Sequence, residues 1–120
     1  MAEHNDLGTK GEDAAVAFLQ AAGHQILLRN YRYGKAEVDI ISQCKRFVVF
    51  TEVKTRSTTA FGQPEEFVDK KKRRLMKAAA EEYIYTQKLD SDIRFDIISI
   101  THLNGELKIR HIEDAFFHEE

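Results

Sequence analysis

Apolar residues recur along this chain with two periods, and the changes of period mark its elements. From residue 6 to 22, Gly8, Ala15, Phe18, Leu19 and Ala22 fall on one stripe at helical spacing, and Gly23 follows as a stop. "HQILLRNY", "AEVDIISQ" and "RFVVFTEVKT" then read as three strands. The last two are separated by a few polar residues around Cys44 and Lys45, which is a hairpin signal without a favoured Asn-Gly turn. "TRSTTAFGQ" is a loop of small polar residues. Pro64 suits the first turn of a second helix running to about Lys88, with Val68, Leu75, Met76, Ala79 and Tyr83 as its stripe. "DIRFDIISIT" and "ELKIRHI" read as a fourth and fifth strand joined at "LNG". The order α-β-β-β-α-β-β predicts an α/β fold, a mixed sheet of about five strands with a three-strand meander and helices packed on it.

Composition adds bounds to this pattern. The 120 residues suffice for one compact domain with a real core. No apolar run is long enough to span a bilayer and the first residues lack a signal-peptide core, so a cytoplasmic protein without a membrane partner is expected. The single cysteine, Cys44, excludes an internal disulfide framework, and the histidines at 4, 24, 102, 111 and 118 show no metal spacing. A net charge of −2 argues against coating nucleic acid by bulk attraction. Yet "RNYRYGK" at 29–35 and "KKKRR" at 70–74 concentrate positive charge. Each is either a solvated face or a local basic surface for a polyanion.

The third strand carries the most informative interruption. In "FVVFTEVKTRS", Val48, Phe50, Glu52 and Lys54 share one face, so an apolar face ends in Glu-x-Lys. On the second strand Glu37, Asp39 and Ile41 point one way and Val38 and Ile40 the other. If the hairpin loop has two or four residues, odd positions of the second strand lie opposite even positions of the third. Asp39 then joins Glu52 and Lys54, with Glu37 close by. Two converging carboxylates can hold a hard divalent cation, Mg²⁺ or Mn²⁺, and a nearby ammonium can orient water or neutralise charge on a phosphate. The alternative is an ion-pair cluster at the exposed end of a sheet.

Other residues are candidates by position. Glu12 either closes a capping box with Thr9 or looks onto the sheet, since it lies about 60° from Ala15 on the helical wheel. Lys72 falls about 40° from Val68, in the middle of the stripe facing the sheet, where it either snorkels out or reaches the acids. Arg56 continues the face of Lys54 and can contact a phosphate, and Arg29, Arg32 and Lys35 form a basic edge before the acidic strand. Tyr31 and Tyr33 interleave with that edge, as base-stacking residues or as ordinary packing. Arg94 and Asp96 read as an ion-paired strand end with a structural role.

Asp39, followed by Glu52-Val53-Lys54, looks like the D…(D/E)-x-K signature of restriction-endonuclease-like nucleases, a short motif of weak specificity. "GTKGEDAAVAFLQAAGHQILLRNYR", "AEVDII", "VVFTEVKTR", "FGQPEEFVDKKKRRLMKAAAEEYI", "RFDIISI" and "HIEDAF" are far more specific, and in this order they resemble the YraN-like family of small bacterial proteins. That family is similar to archaeal Holliday-junction resolvases. The resemblance implies a single restriction-endonuclease-like domain over residues 1–120 and a metal-dependent endonuclease acting on DNA, branched or otherwise structured. It implies Asp39 and Glu52 as metal-binding acids, the Val53 carbonyl as a further ligand, Lys54 as the motif lysine and Glu12 as a helix-borne acid completing the site. Glu37 matches the acid of the family's "GEID"-like segment, where this chain departs by placing Ala36 at the usual glycine. Many junction enzymes are dimers, so a homodimer is compatible, although no stretch marks an interface. The alternatives are a nucleic-acid-binding module with this fold that does not cut, and a structural or adaptor protein.

Overall fold

A computed structural model of the chain describes residues 6–56 and 68–117. The elements follow the predicted order: α1 (Asp6–Ala21), β1 (Gln25–Tyr33), β2 (Ala36–Cys44), β3 (Phe47–Arg56), α2 (Lys70–Gln87), β4 (Asp92–Leu103) and β5 (Glu106–Ile112). The strands form one five-stranded sheet in sequence order. It is mixed, because β3 and β4 run parallel and the other neighbours antiparallel. A parallel pair needs a long crossover, and α2 lies within it. Strands covered on both faces read as near-continuous apolar runs, which explains "FVVF" in β3 and "FDIISI" in β4.

Each helix covers one face. Met76, Ala79, Ala80 and Tyr83 of α2 pack with Val38, Ile41, Val48, Phe50 and Ile97 in one cluster. Ala15 and Leu19 of α1 pack with Ile40, Ile98 and Ile100 in another. Gly11 brings α1 into direct contact with β3, since a Cβ built there would stand 2.1 Å from Thr55 Oγ1. Among the described residues no helix is long and apolar enough to cross a membrane.

Two expectations need correction. The second helix begins at Lys70 rather than near Pro64, which lies outside the described residues. Asp69 is its N-cap, with extended backbone and a side chain accepting from the Lys72 amide at 2.9 Å. Asp is among the favoured capping residues because its oxygen meets an otherwise unpaired N–H. The second correction concerns β2. Val38 and Ile41 pack in the same cluster, whereas Ile40 packs under α1, so strict alternation fails between 38 and 40. The cause lies on β1, where Asn30 adopts φ 55. The ladder holds Arg29↔Ile40 and Tyr31↔Val38 but passes over Asn30 and Asp39.

The hairpin between β2 and β3 has a two-residue turn, Lys45-Arg46, between paired Cys44 and Phe47. Lys45 takes the positive φ, 57°, that tight hairpin turns need. The tight turn between Tyr33 and Ala36 gives its positive φ to Gly34, so Ala36 can lie buried in the strand.

Candidate active site

The even-length turn sets the predicted parity, with odd positions of β2 opposite even positions of β3. The ladder between these strands ends at Ile40↔Thr51, although β2 begins at Ala36 and β3 continues to Arg56. Beyond that pair the two strands part, and Asp39 and Glu52 are the first residues past the fork. Asp39 compensates for the missing ladder bond: its Oδ2 accepts the Val53 backbone N–H at 2.8 Å. β3 meanwhile stays paired with β4, Glu52 opposite Ile97 and Lys54 opposite Ser99.

Glu52 is buried, its side chain 5% exposed, and two ammonium groups converge on its Oε2. Lys72 Nζ is 2.6 Å away and Lys54 Nζ 3.4 Å. The position of Lys72 at the centre of the helical stripe therefore has a purpose: from the first turn of α2 its side chain runs to the sheet and stops on the acid. Among the described residues Asp39 has no such lysine in hydrogen-bond contact. Burial and the neighbouring Glu52 carboxylate push it up to about 7, with a smaller push from Glu12, against the Val53 hydrogen bond and the charge of Lys72. Like charges near one another in a half-dry site disfavour joint ionisation.

On the α1 side of the fork lies a depression of about 650 Å³, lined among others by Glu12, Asn30, Asp39, Lys54 and Thr55. Glu12 is inside the helix, six residues after its start, so the capping-box alternative falls away. Its carboxylate accepts from Arg29 at 2.9 Å and from Asn30 at 3.3 Å. Arg29 also bonds Asp13 at 2.8 Å, so its guanidinium is engaged by acids of α1. Arg32 is exposed, 3.6 Å from Glu37. Lys35 sits in the β1–β2 turn beside Lys71 and Lys72, in a second depression on the α2 side. Arg56 is the half-buried last residue of β3. Tyr31 packs edge-on against Tyr83, centroids 5.4 Å apart, half-buried against the core.

Sequence reasoning missed Asn30 and Thr55, which line the depression, and Lys71. An asparagine inside a strand was the available signal, since Asn is depleted in strands and tolerates positive φ. Among the described residues no three His, Cys, Asp or Glu side chains form a metal-binding group. The donor set that remains is Asp39, Glu52 and the Val53 carbonyl. This suits Mg²⁺ or Mn²⁺, which take one or two carboxylates and leave the other positions to water and phosphate. The partly buried acids repelling one another at the fork are also what a cation would relieve.

The model of the uncharacterised protein family UPF0102 matches residues 11–100, a span that contains every candidate site residue named above. This chain belongs to the UPF0102 family. The UPF0102 protein of Flavobacterium psychrophilum is 51% identical over 118 residues, covering 98% of this chain and 99% of that protein. UPF0102 proteins of Christiangramia forsetii and Bacteroides thetaiotaomicron are 48% and 47% identical, with 98% of this chain covered and 99% and 97% of theirs. The YraN-like resemblance of the sequence motifs is therefore sound, and UPF0102 relatives match the chain over nearly its full length.

Proposed function

We propose that this UPF0102 chain is a Mg²⁺- or Mn²⁺-dependent endonuclease that hydrolyses phosphodiester bonds in DNA, branched or otherwise structured, with the cytoplasm as its place of action. The observation that carries the reading is the meeting of Asp39, Glu52 and Lys54 where two paired strands fork beside an open depression. The D…E-x-K resemblance to restriction-endonuclease-like nucleases supports it. Asp39, Glu52 and the Val53 carbonyl would hold the cation. When bound, the cation would supply Lewis acidity toward the phosphate and lower the pKa of a coordinated water. Lys54 stands beside the acids with its side chain one-third exposed, able to orient an attacking water or meet charge developing on the phosphate. Glu12, fixed by Arg29 and Asn30, faces the same depression. Lys35, Lys71, Lys72 and Arg32 would seat the backbone, with Arg56 beyond Lys54 on the same strand. The charge pattern of α2 favours this. Its first turn is basic and holds no acid, opposite to what the helix dipole rewards.

The test is a cleavage panel of single-stranded, duplex, flap and four-way-junction DNA with RNA alongside, in Mg²⁺ and in Mn²⁺. Lys54→Ala and Asp39→Asn, purified identically, should cut at least roughly 100-fold more slowly. Equal cleavage by parent and variants sinks the reading. One observation favours a second reading, a DNA-binding module that does not cut: two lysines already neutralise Glu52. DNA binding by the parent without turnover on any substrate would select it.

A further inference from the structure

We infer that a divalent cation and Lys72 compete for Glu52, and that the displaced Lys72 ammonium completes a phosphate site with Lys35 and Lys71. This rests on the metal-binding reading above and adds an order of events to it. Lys72 Nζ lies 2.6 Å from Glu52 Oε2, much closer than the motif lysine Lys54 at 3.4 Å. A cation coordinated at about 2 Å from the same carboxylate would face that ammonium at repulsive range. Lys72 can yield without moving its helix. The helix is anchored by Met76, Ala79, Ala80 and Tyr83 and capped by Asp69, while the side chain of Lys72 is 37% exposed and flexible.

The place it would move into exists. A depression of about 280 Å³ beside it is lined by Lys35, Glu37, Asp69, Lys71 and Lys72, room enough for a phosphate group. Asp69 spends Oδ1 on the α2 cap, and Glu37 lies 3.6 Å from Arg32, so the two acids there have partners of their own. Released from Glu52, Lys72 adds a third ammonium to that hollow. Metal loading thereby raises affinity for the DNA backbone, and by linkage the backbone raises affinity for metal.

The test titrates Mn²⁺ by calorimetry and electron paramagnetic resonance into parent, Lys72→Met and Lys72→Arg. Lys72→Met should bind Mn²⁺ about 5-fold or more tighter, a coupling of ordinary size, and Lys72→Arg should resemble the parent. Unchanged or weaker binding by Lys72→Met overturns the competition. A measurement on the unmutated protein guards against a variant that folds poorly. Acylation of Lys72 should speed up when Mn²⁺ is added while that of Lys77, which lies over the Phe117 ring, stays constant. No change at Lys72 is a second way to overturn the proposal. Junction DNA binding, measured with and without Ca²⁺, should gain from Ca²⁺ in the parent and gain less in Lys72→Met. An equal gain overturns the phosphate step. If the parent itself binds no Mn²⁺, the metal reading of the site fails, a result distinct from parent and variant binding alike.

Discussion

Asp39 and Asp96 are both aspartates on the sheet, yet their surroundings shift them in opposite directions. For Asp96, burial works against ionisation, but hydrogen bonds from His111, from Arg94 and from the Asp114 amide outweigh it and hold the carboxyl below its usual range. Arg94 supplies two bonds at 2.9 and 2.8 Å and His111 Nε2 lies at 2.7 Å, so Asp96 fastens β4 to β5 and to the turn after it. A depressed pKa stabilises the fold above the unfolded value near 3.8 and loses that contribution as pH falls through the folded pKa. Asp39 is the reverse. With its pKa raised from 3.8 to about 7, the native state holds a proton that the unfolded chain has released, so stability falls as pH rises across that window. Asp39→Asn removes the titration and keeps an oxygen for the Val53 N–H. Without metal, the variant should gain about 1 kcal/mol or more over the parent at pH 8, roughly 4 °C in melting temperature, and lose that advantage near pH 4. Melting curves at both pH values check this. A variant less stable than the parent at pH 8 would mean that the Asp39 charge is well compensated in the free protein.

Among the elements, α1 decides how the depression is built, through one glycine. The missing side chain at Gly11 lets the helix rest on Thr55, two residues from Val53, and so sets Glu12 toward the fork. A methyl there would meet Thr55 Oγ1 at 2.1 Å and its Cβ and Cγ2 at 3.1 Å, contacts that rotation of one side chain cannot all relieve. Gly11→Ala should destabilise by about 1–3 kcal/mol despite the better helix propensity of alanine. Thr55→Ala in the same chain should return part of that loss, and a double-mutant cycle on chemical unfolding measures the coupling. Additive effects would show that the helix does not rest there. None of this was legible beforehand, because a helix-interior glycine in sequence says only that something approaches closely. The hairpin parity was legible, since it depends only on period two and an even turn. The place of Lys72 was legible for a similar reason, since helical spacing puts it in the middle of the apolar stripe, but spacing left open whether it snorkels out or reaches the acids. What periodicity could not reveal was the break at Asp39. It arises from a positive φ on the neighbouring strand and from two strands parting, both properties of pairing between segments.

Over the whole molecule, charge is segregated rather than balanced. The net charge of −2 offers a polyanion no overall attraction and is largely screened beyond a Debye length, about 8 Å in physiological salt, so binding falls to a local basic surface acting within that distance. The fold assembles such a surface from separated stretches: Lys35 from the β1–β2 turn and Lys71 and Lys72 from the start of α2 meet beside the fork. The sheet order puts β5 at the opposite edge from β1, so its exposed Lys108 lies on another part of the molecule. Counterion release separates these surfaces. Each phosphate neutralised adds about −0.9 to the slope of log affinity against log salt for duplex DNA. Lys35→Gln with Lys71→Gln should therefore make that slope shallower by about 2 and weaken binding at low salt, whereas Lys108→Gln should leave both as they are. Binding isotherms on a four-way junction from about 50 to 200 mM salt are the measurement. Neutralising both lysines spares Asp39, Glu52 and Lys54, so under the proposed nuclease function cleavage at saturating DNA should persist while affinity drops. A slope that responds to Lys108 and ignores Lys35 and Lys71 would place the DNA on the far edge of the sheet, away from the forked strands, and would separate binding from the acids altogether.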